Sequence, residues 1–228
     1  MGALPALPRV WWATDLPGYR EHPTPFSTYS PFPYTDLPRI VRELDVELNW
    51  LRAEPRVPGS LGYVVPGNPA PERAATEADL GALLGDRELA LPRAFRTFIG
   101  DPEPRTRARS CTSCYLDLGE FPVDVAGGGA LIHFLSDQQW MLHWLLYVGP
   151  DGSEAVVVTE SAFGFEADGE RFDSYDPADG GMSVCAESFS EFLYRFWIEN
   201  EIWFRAGSDT KGEAALTDEQ RRYATQYH

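Results

Sequence analysis

Seven carboxylates crowd one stretch of the chain: Glu160, Glu166, Asp168, Glu170, Asp173, Asp176 and Asp179. A pair of them held together could bind a cation or divide the acid and base roles of a hydrolase. Their spacing is not that of an EF-hand, and acidic side chains are also the ordinary furniture of surface hairpins. Cys111 and Cys114, in CTSC, have metal-ligand or redox spacing. Zinc would need two more ligands, from Cys185, His22, His133, His143 and His228, and no second CxxC or HxxxH pair exists. A thioredoxin-like site would need a helix directly after CTSC in a βαβ unit, and none reads there. His133 and His143 fall inside apolar runs, where a histidine satisfied on a sheet face is expected; as a base either would need a nucleophile nearby. No nucleophile elbow, P-loop, GxGxxG or HExxH occurs, and the glycines at 127–129 precede a strand rather than a helix. The expectation is therefore no catalytic residue, no metal and no cofactor, with the carboxylates serving as a docking surface for Arg and Lys of a partner.

Charge points the same way. The 228 residues carry 35 acidic and 19 basic side chains, a net charge of −16, which repels nucleic acid and anionic membranes and suits a basic partner. No apolar run approaches the ~18–20 residues of a membrane span, and MGALPALPRVWWATDLPG has neither the basic start nor the continuous apolar core of a signal peptide. Three cysteines, an odd count, read as reduced thiols of a cytoplasmic protein.

The elements that would position these residues can be read from periodicity. Residues 1 to about 35 are rich in Pro and aromatics; the prolines exclude helix or central strand, while Trp11, Trp12, Tyr19, Phe26, Tyr29 and Phe32 are too apolar for a free tail. An arm packed over the domain is expected. Residues 37–53 have helical spacing behind Asp36, and a Pro/Gly linker follows to about 75. Thr76 and Asp79 form a capping box before Leu80, Leu83 and Leu84; Leu91-Pro92 opens a second helix carrying Phe95, Phe98 and Ile99. Residues 131–136 and 139–148 are apolar on both alternating faces, as in strands covered on two sides. Turns at 149–152 and 167–170 make hairpins with 155–160 and with the runs around the second turn. Ser188 and Glu191 cap a last long aromatic helix, on which Asn200 needs a hydrogen-bond partner if buried.

Three of these segments in order, LPxxFxxFI behind a Gly-broken helix at 80–99, the FLSDQQ and WLLYVGPDG strands, and the closing SFSEFL helix, resemble the SUKH superfamily, which includes many bacterial immunity proteins and a yeast regulator of cell-wall synthesis. The likeness spans about residues 76 to 204. Gly100-Asp101-Pro102 stands where members have a glycine-rich turn, and the N-terminal extension is additional. The resemblance implies an α+β fold, a mixed or antiparallel β-sheet packed against helices. It also implies a protein that binds and neutralises a cognate polymorphic toxin, often a nuclease or deaminase, without catalytic residues of its own.

The resulting expectation is an N-terminal extension (1–75), a SUKH-like domain (76–204) and a polar tail (205–228) with a final helix after Thr217. The partner is a basic toxin domain, occluded through Asp137, Gln139, Trp140, Glu160, Glu166, Asp173, Tyr175 and Asp176. Trp140 is included because Trp is enriched in interface hot spots, although core packing competes for it. The alternatives are a housekeeping scaffold of the same fold, whose partner is not itself toxic, and a metal-dependent hydrolase built on the acidic cluster.

Overall fold

A computed structural model describes residues 4, 7–21, 28–61, 76–164, 166–167, 170–207 and 215–227. The chain opens with a two-stranded antiparallel hairpin, β1 (Val10–Ala13) and β2 (Ser30–Pro33). Four short helices follow: α1 (Asn49–Arg52), α2 (Glu77–Ala82), α3 (Arg93–Gly100) and α4 (Pro102–Arg105). Then come β3 (Tyr115–Leu116), β4 (Val123–Val125), β5 (Ala130–Ser136), β6 (His143–Val148), β7 (Glu154–Thr159), β8 (Glu166–Ala167), β9 (Glu170–Arg171), β10 (Ser174–Tyr175) and β11 (Met182–Ala186). Helices α5 (Phe189–Ala206) and α6 (Asp218–Ala224) close the chain. This is an α+β fold.

The main sheet runs β10-β4-β5-β6-β7-β11, with β3 also on β5; every pairing is antiparallel except β10 with β4, so the sheet is mixed. All of β5 and β6 is buried, as two-sided apolar strands require. One face presents Ile132, Phe134, Trp144, Leu146, Val156 and Val158 to the helices. The other gathers Leu131, Leu145, Tyr147 and Val157 with Val125 and Tyr175 of the opposite edge, so the sheet curls over its own second face.

Capping fixes the helices where the residue types place them. Thr76 and Asp79 complete their reciprocal box, and Ser188 accepts from the Glu191 amide at 3.1 Å. Helix α3 turns Phe95 onto Phe134 and Phe189, ring centroids 5.8 and 5.1 Å apart. Asp101 ends α3 and caps the one-turn α4 by accepting from the Glu103 amide at 2.8 Å, an element the sequence reading lacks. The arm packs as a proline-bearing strand pair can, at an edge: the Val184 amide donates to the Pro8 carbonyl at 2.8 Å, covering β11, and Trp11 and Leu16 share the core of α5.

The helix expected over 37–53 forms only at its last turn, α1. The Asp45 carboxylate accepts from the amides of Glu47 and Asn49 at 3.0 and 3.1 Å, a local bond that competes with helix, and Leu48 sits at φ 58°. Val41 and Val46, both within the span expected to be helical, are exposed. Phe26, most of the linker (62–75) and residues 208–214 of the tail lie outside the described residues.

Gly129 shows how tightly the β4–β5 turn is built. Its φ is +90°, and a Cβ there would lie 2.6 Å from the Val148 carbonyl oxygen and 2.7 Å from the Tyr147 ring. Gly129→Ala should destabilise the protein by about 1–3 kcal/mol, read as a lower urea midpoint with unchanged slope. An unaltered midpoint would contradict this packing.

Candidate functional site

Among the described residues, two places are the candidates for a site. The first is buried, on the curled face of the sheet. Register passes from His133↔Leu145 to Leu135↔Trp144, so Phe134 is an extra residue in β5. That bulge reverses the alternation and puts His133 and Ser136 on one face, with His143 of β6 opposite Ser136. The Ser136 hydroxyl lies 2.9 Å from Asp117 Oδ2, 3.0 Å from His133 Nε2 and 2.9 Å from His143 Nδ1. His133 Nε2 is also 3.0 Å from the Leu135 carbonyl, which can only accept, so this nitrogen carries the proton.

Burial, then the neighbouring His143, pushes His133 down to about 3, against the Leu135 bond that raises it. His143 is also lowered by burial, and burial raises Asp117 against the hydroxyls of Ser136 and Tyr115. Both rings are neutral at pH 7. Ser136 donates to Asp117 and both remaining tetrahedral positions face an imidazole, so its hydroxyl is fully occupied and wholly buried. In a serine nucleophile the base takes the hydroxyl proton and an open side faces substrate. Here the four side chains pin β5, β6 and the segment after β3 together.

CTSC is likewise quiet. Burial pushes the Cys111 thiol up to about 12 and raises Cys114, whose sulfur contacts the hydroxyls of Thr112 (3.2 Å) and Tyr29 (3.6 Å). A thiol so raised is protonated and unreactive at neutral pH. Cys111, Cys114 and Cys185 are all free. Asn200, the polar interruption of α5, finds its partners: its Oδ1 accepts from the Cys111 amide at 2.6 Å and its Nδ2 donates to Phe196 O at 2.8 Å.

The second place is the sheet end above that buried cluster. The β5–β6 turn, residues 137–142, is braced from within by Asp137, whose Oδ1 accepts from the amides of Met141 and Leu142 at 2.7 and 3.1 Å. Gln138 and Gln139 are exposed; Trp140 is 45% and Met141 56% exposed. The Trp140 indole stands edge-on to His143, centroids 5.3 Å apart, and its Nε1 donates to the Tyr115 hydroxyl. His143 pairs with Thr159, and exposed Glu160 follows directly after that pair at the end of β7. Thr159 pairs with Met182 and its hydroxyl donates to Gly181 O at 2.9 Å, one strand further. The turn Pro177–Asp179, capped by Asp176, leads into that point with Asp176 and Asp179 exposed. The segments 137–142, 159–164 and 176–182 contain four carboxylates and no Arg or Lys.

Of the eight residues expected at an interface, the structure places Gln139 and Trp140 exposed in the β5–β6 turn and Glu160 exposed after β7, at the same end of the sheet, its rim; exposed Asp176 follows β10 beside the β4–β5 turn, at the other end. Two are corrected. Asp137 is 3% exposed and spent on the turn's amides; Tyr175 is 5% exposed, packed on Phe163 with its hydroxyl donating to Gly180 O, so neither presents a side chain to a partner. Asp173 is exposed beside β4, ion-paired with Arg171 at 3.5 Å, away from the rim. The side chains of Glu166 and Glu170, and Asp168, His22 and His228 entirely, lie outside the described residues. Among the described residues no three His, Cys, Asp or Glu gather as a metal site would need. Sequence reading missed Met141, taken as part of a strand, and the Asp117–Ser136 link, which only the bulge creates. No family model, curated protein or solved structure matches this chain.

Proposed function

We propose that this protein is a non-catalytic binding module that neutralises a basic toxin domain, a nuclease or deaminase, by covering its substrate cleft. The observation that carries this reading is the sheet end formed by segments 137–142 and 159–164, which exposes Glu160 together with the apolar surface of Trp140 and Met141 and whose own residues include no Arg or Lys. Such a field steers a cationic partner and is weakened by salt. The SUKH-like order of segments and the net charge of −16 support the same reading. Among the described residues no helix is long and apolar enough to cross a membrane, and three free thiols fit a reducing cytoplasm.

Co-purification of the tagged protein from its native host tests the proposal. It should retain one stoichiometric basic protein that is toxic when expressed alone. Association should slow at least about tenfold between 0.05 and 0.5 M salt, as for electrostatically steered pairs. A partner that is harmless alone, or binding indifferent to salt, would overturn it.

A further inference from the structure

We infer that Trp140 is the anchor of this interface, and that the partner meets it with an arginine stacked on the exposed indole face inside a shallow apolar depression. The inference rests on the protein-binding reading and names what the rim recognises.

The indole is unusual in being both exposed and held. Nearly half of it faces solvent, yet its edge is fixed against His143 and its Nε1 is engaged by the Tyr115 hydroxyl. Beneath it lies the Ser136 network, and Asp137 holds the turn by two backbone amides. A side chain already ordered loses little entropy on binding, the economy that makes rigid Trp and Tyr good anchors. The backbone adds a second observation. Trp140 sits at φ +58°, a region that costs a bulky residue about 1–2 kcal/mol and that glycine adopts freely. The fold therefore carries both local strain and exposed apolar surface at one residue, and Met141 extends the patch.

The geometry also limits what can cover it. With Nε1 engaged, the exposed remainder of the ring offers only carbon and its π-face, so a hydrogen-bond acceptor on the partner has nothing to meet there. An exposed π-face on a chain of net charge −16, at a sheet end that also exposes Glu160, favours a cation. Guanidinium suits it better than ammonium, because it stacks flat on indole while its edge donors reach oxygen, here Gln139 or Glu160. Charge complementarity commits the occupant to a basic protein rather than to a second copy of this acidic chain.

The test uses the full-length protein and the partner retained by the wild type in the native host. Trp140→Gly removes the anchor while relieving the strain, so its thermal midpoint should equal or exceed that of the wild type; Trp140→Phe keeps a π-face. Affinity for the retained partner should fall about 30-fold or more for Trp140→Gly, as at interface hot spots, and only a few-fold for Trp140→Phe. A benzophenone photo-crosslinker at position 141 should label that partner beside an arginine, and the same group at position 41, exposed in the irregular segment before α1, should not. Unchanged affinity in Trp140→Gly, or labelling from 41 alone, overturns the anchor while leaving the binding module intact. If the wild type retains no partner, both fall.

Discussion

Glu199→Ala is expected to cost about 3–5 kcal/mol, the range for removing one partner of a buried ion pair, and to release both ends of the chain from the core. Glu199 is 4% exposed on α5, and both termini converge on it. Its carboxylate accepts from Trp11 Nε1 at 2.9 Å, from Arg20 at 2.8 and 3.2 Å, from the Tyr223 hydroxyl at 3.2 Å and from the Tyr227 hydroxyl. Arg20 is itself 8% exposed, so truncation strands a guanidinium in the core together with three other donors. Burial alone would raise the Glu199 carboxyl, but the charge and hydrogen bonds of Arg20 outweigh it and hold the group below its ordinary 4.5. A carboxyl depressed in the folded state stabilises above its unfolded value and loses that contribution as pH falls below about 4.5. Urea unfolding would measure the loss, and limited proteolysis near residue 20 would report the freed arm. Replacing both partners, Arg20→Met with Glu199→Leu, should recover most of the stability. A single-variant loss under about 1 kcal/mol would mean that water already solvates the cluster.

Lowering the pH from 7 to 5 should remove roughly 2 kcal/mol of stability, well before the depressed carboxyls titrate. His133 is the cause: burial, and His143 beside it, hold it near 3 where an ordinary histidine titrates at 6.5. In the window between those values the unfolded chain binds a proton that the folded one refuses, so stability is complete above 6.5 and drains away as pH falls. At pH 5 the gap is 6.5 less 5, or 1.5 units, which at about 1.4 kcal/mol per unit gives that figure. His143, lowered by burial, adds with the same sign; Asp117 and Glu154, raised by burial, act with the opposite sign. His133→Gln keeps an amide donor for the Leu135 carbonyl and should flatten the profile between pH 7 and 5. A slope unchanged in that variant would place the sensitivity elsewhere.

What could be read from sequence was what local chemistry decides. Thr76, Pro92 and Ser188 announce their helices, and the two-sided apolarity of β5 and β6 announces buried strands. Where a local signal had a local rival it misled: the spacing over 37–53 looks helical, but Asp45 captures the amides that the helix needs. The rim was partly legible, since Gln139, Trp140 and Glu160 stand beside turn residues, which loops expose. Asp137 and Tyr175 show the limit of that rule, because a polar group in a turn can be spent on the turn itself. The buried network was out of reach. Ser136 joins His133 only through one extra residue in β5, and Arg20 meets Glu199 across 179 positions; no periodicity records either event.

That separation has a consequence for how the chain comes off the ribosome. Trp11 and Arg20 are made 188 and 179 positions before the carboxylate that receives them. At ordinary synthesis rates of about 5–20 residues per second the arm waits roughly 10–40 s for its partner. In that interval its indoles, and the β11 edge once it emerges, have no finished core to close on. The timing of the first strand is thus set by the arrival of the final long helix, and the arm docks as a late step on a sheet already made.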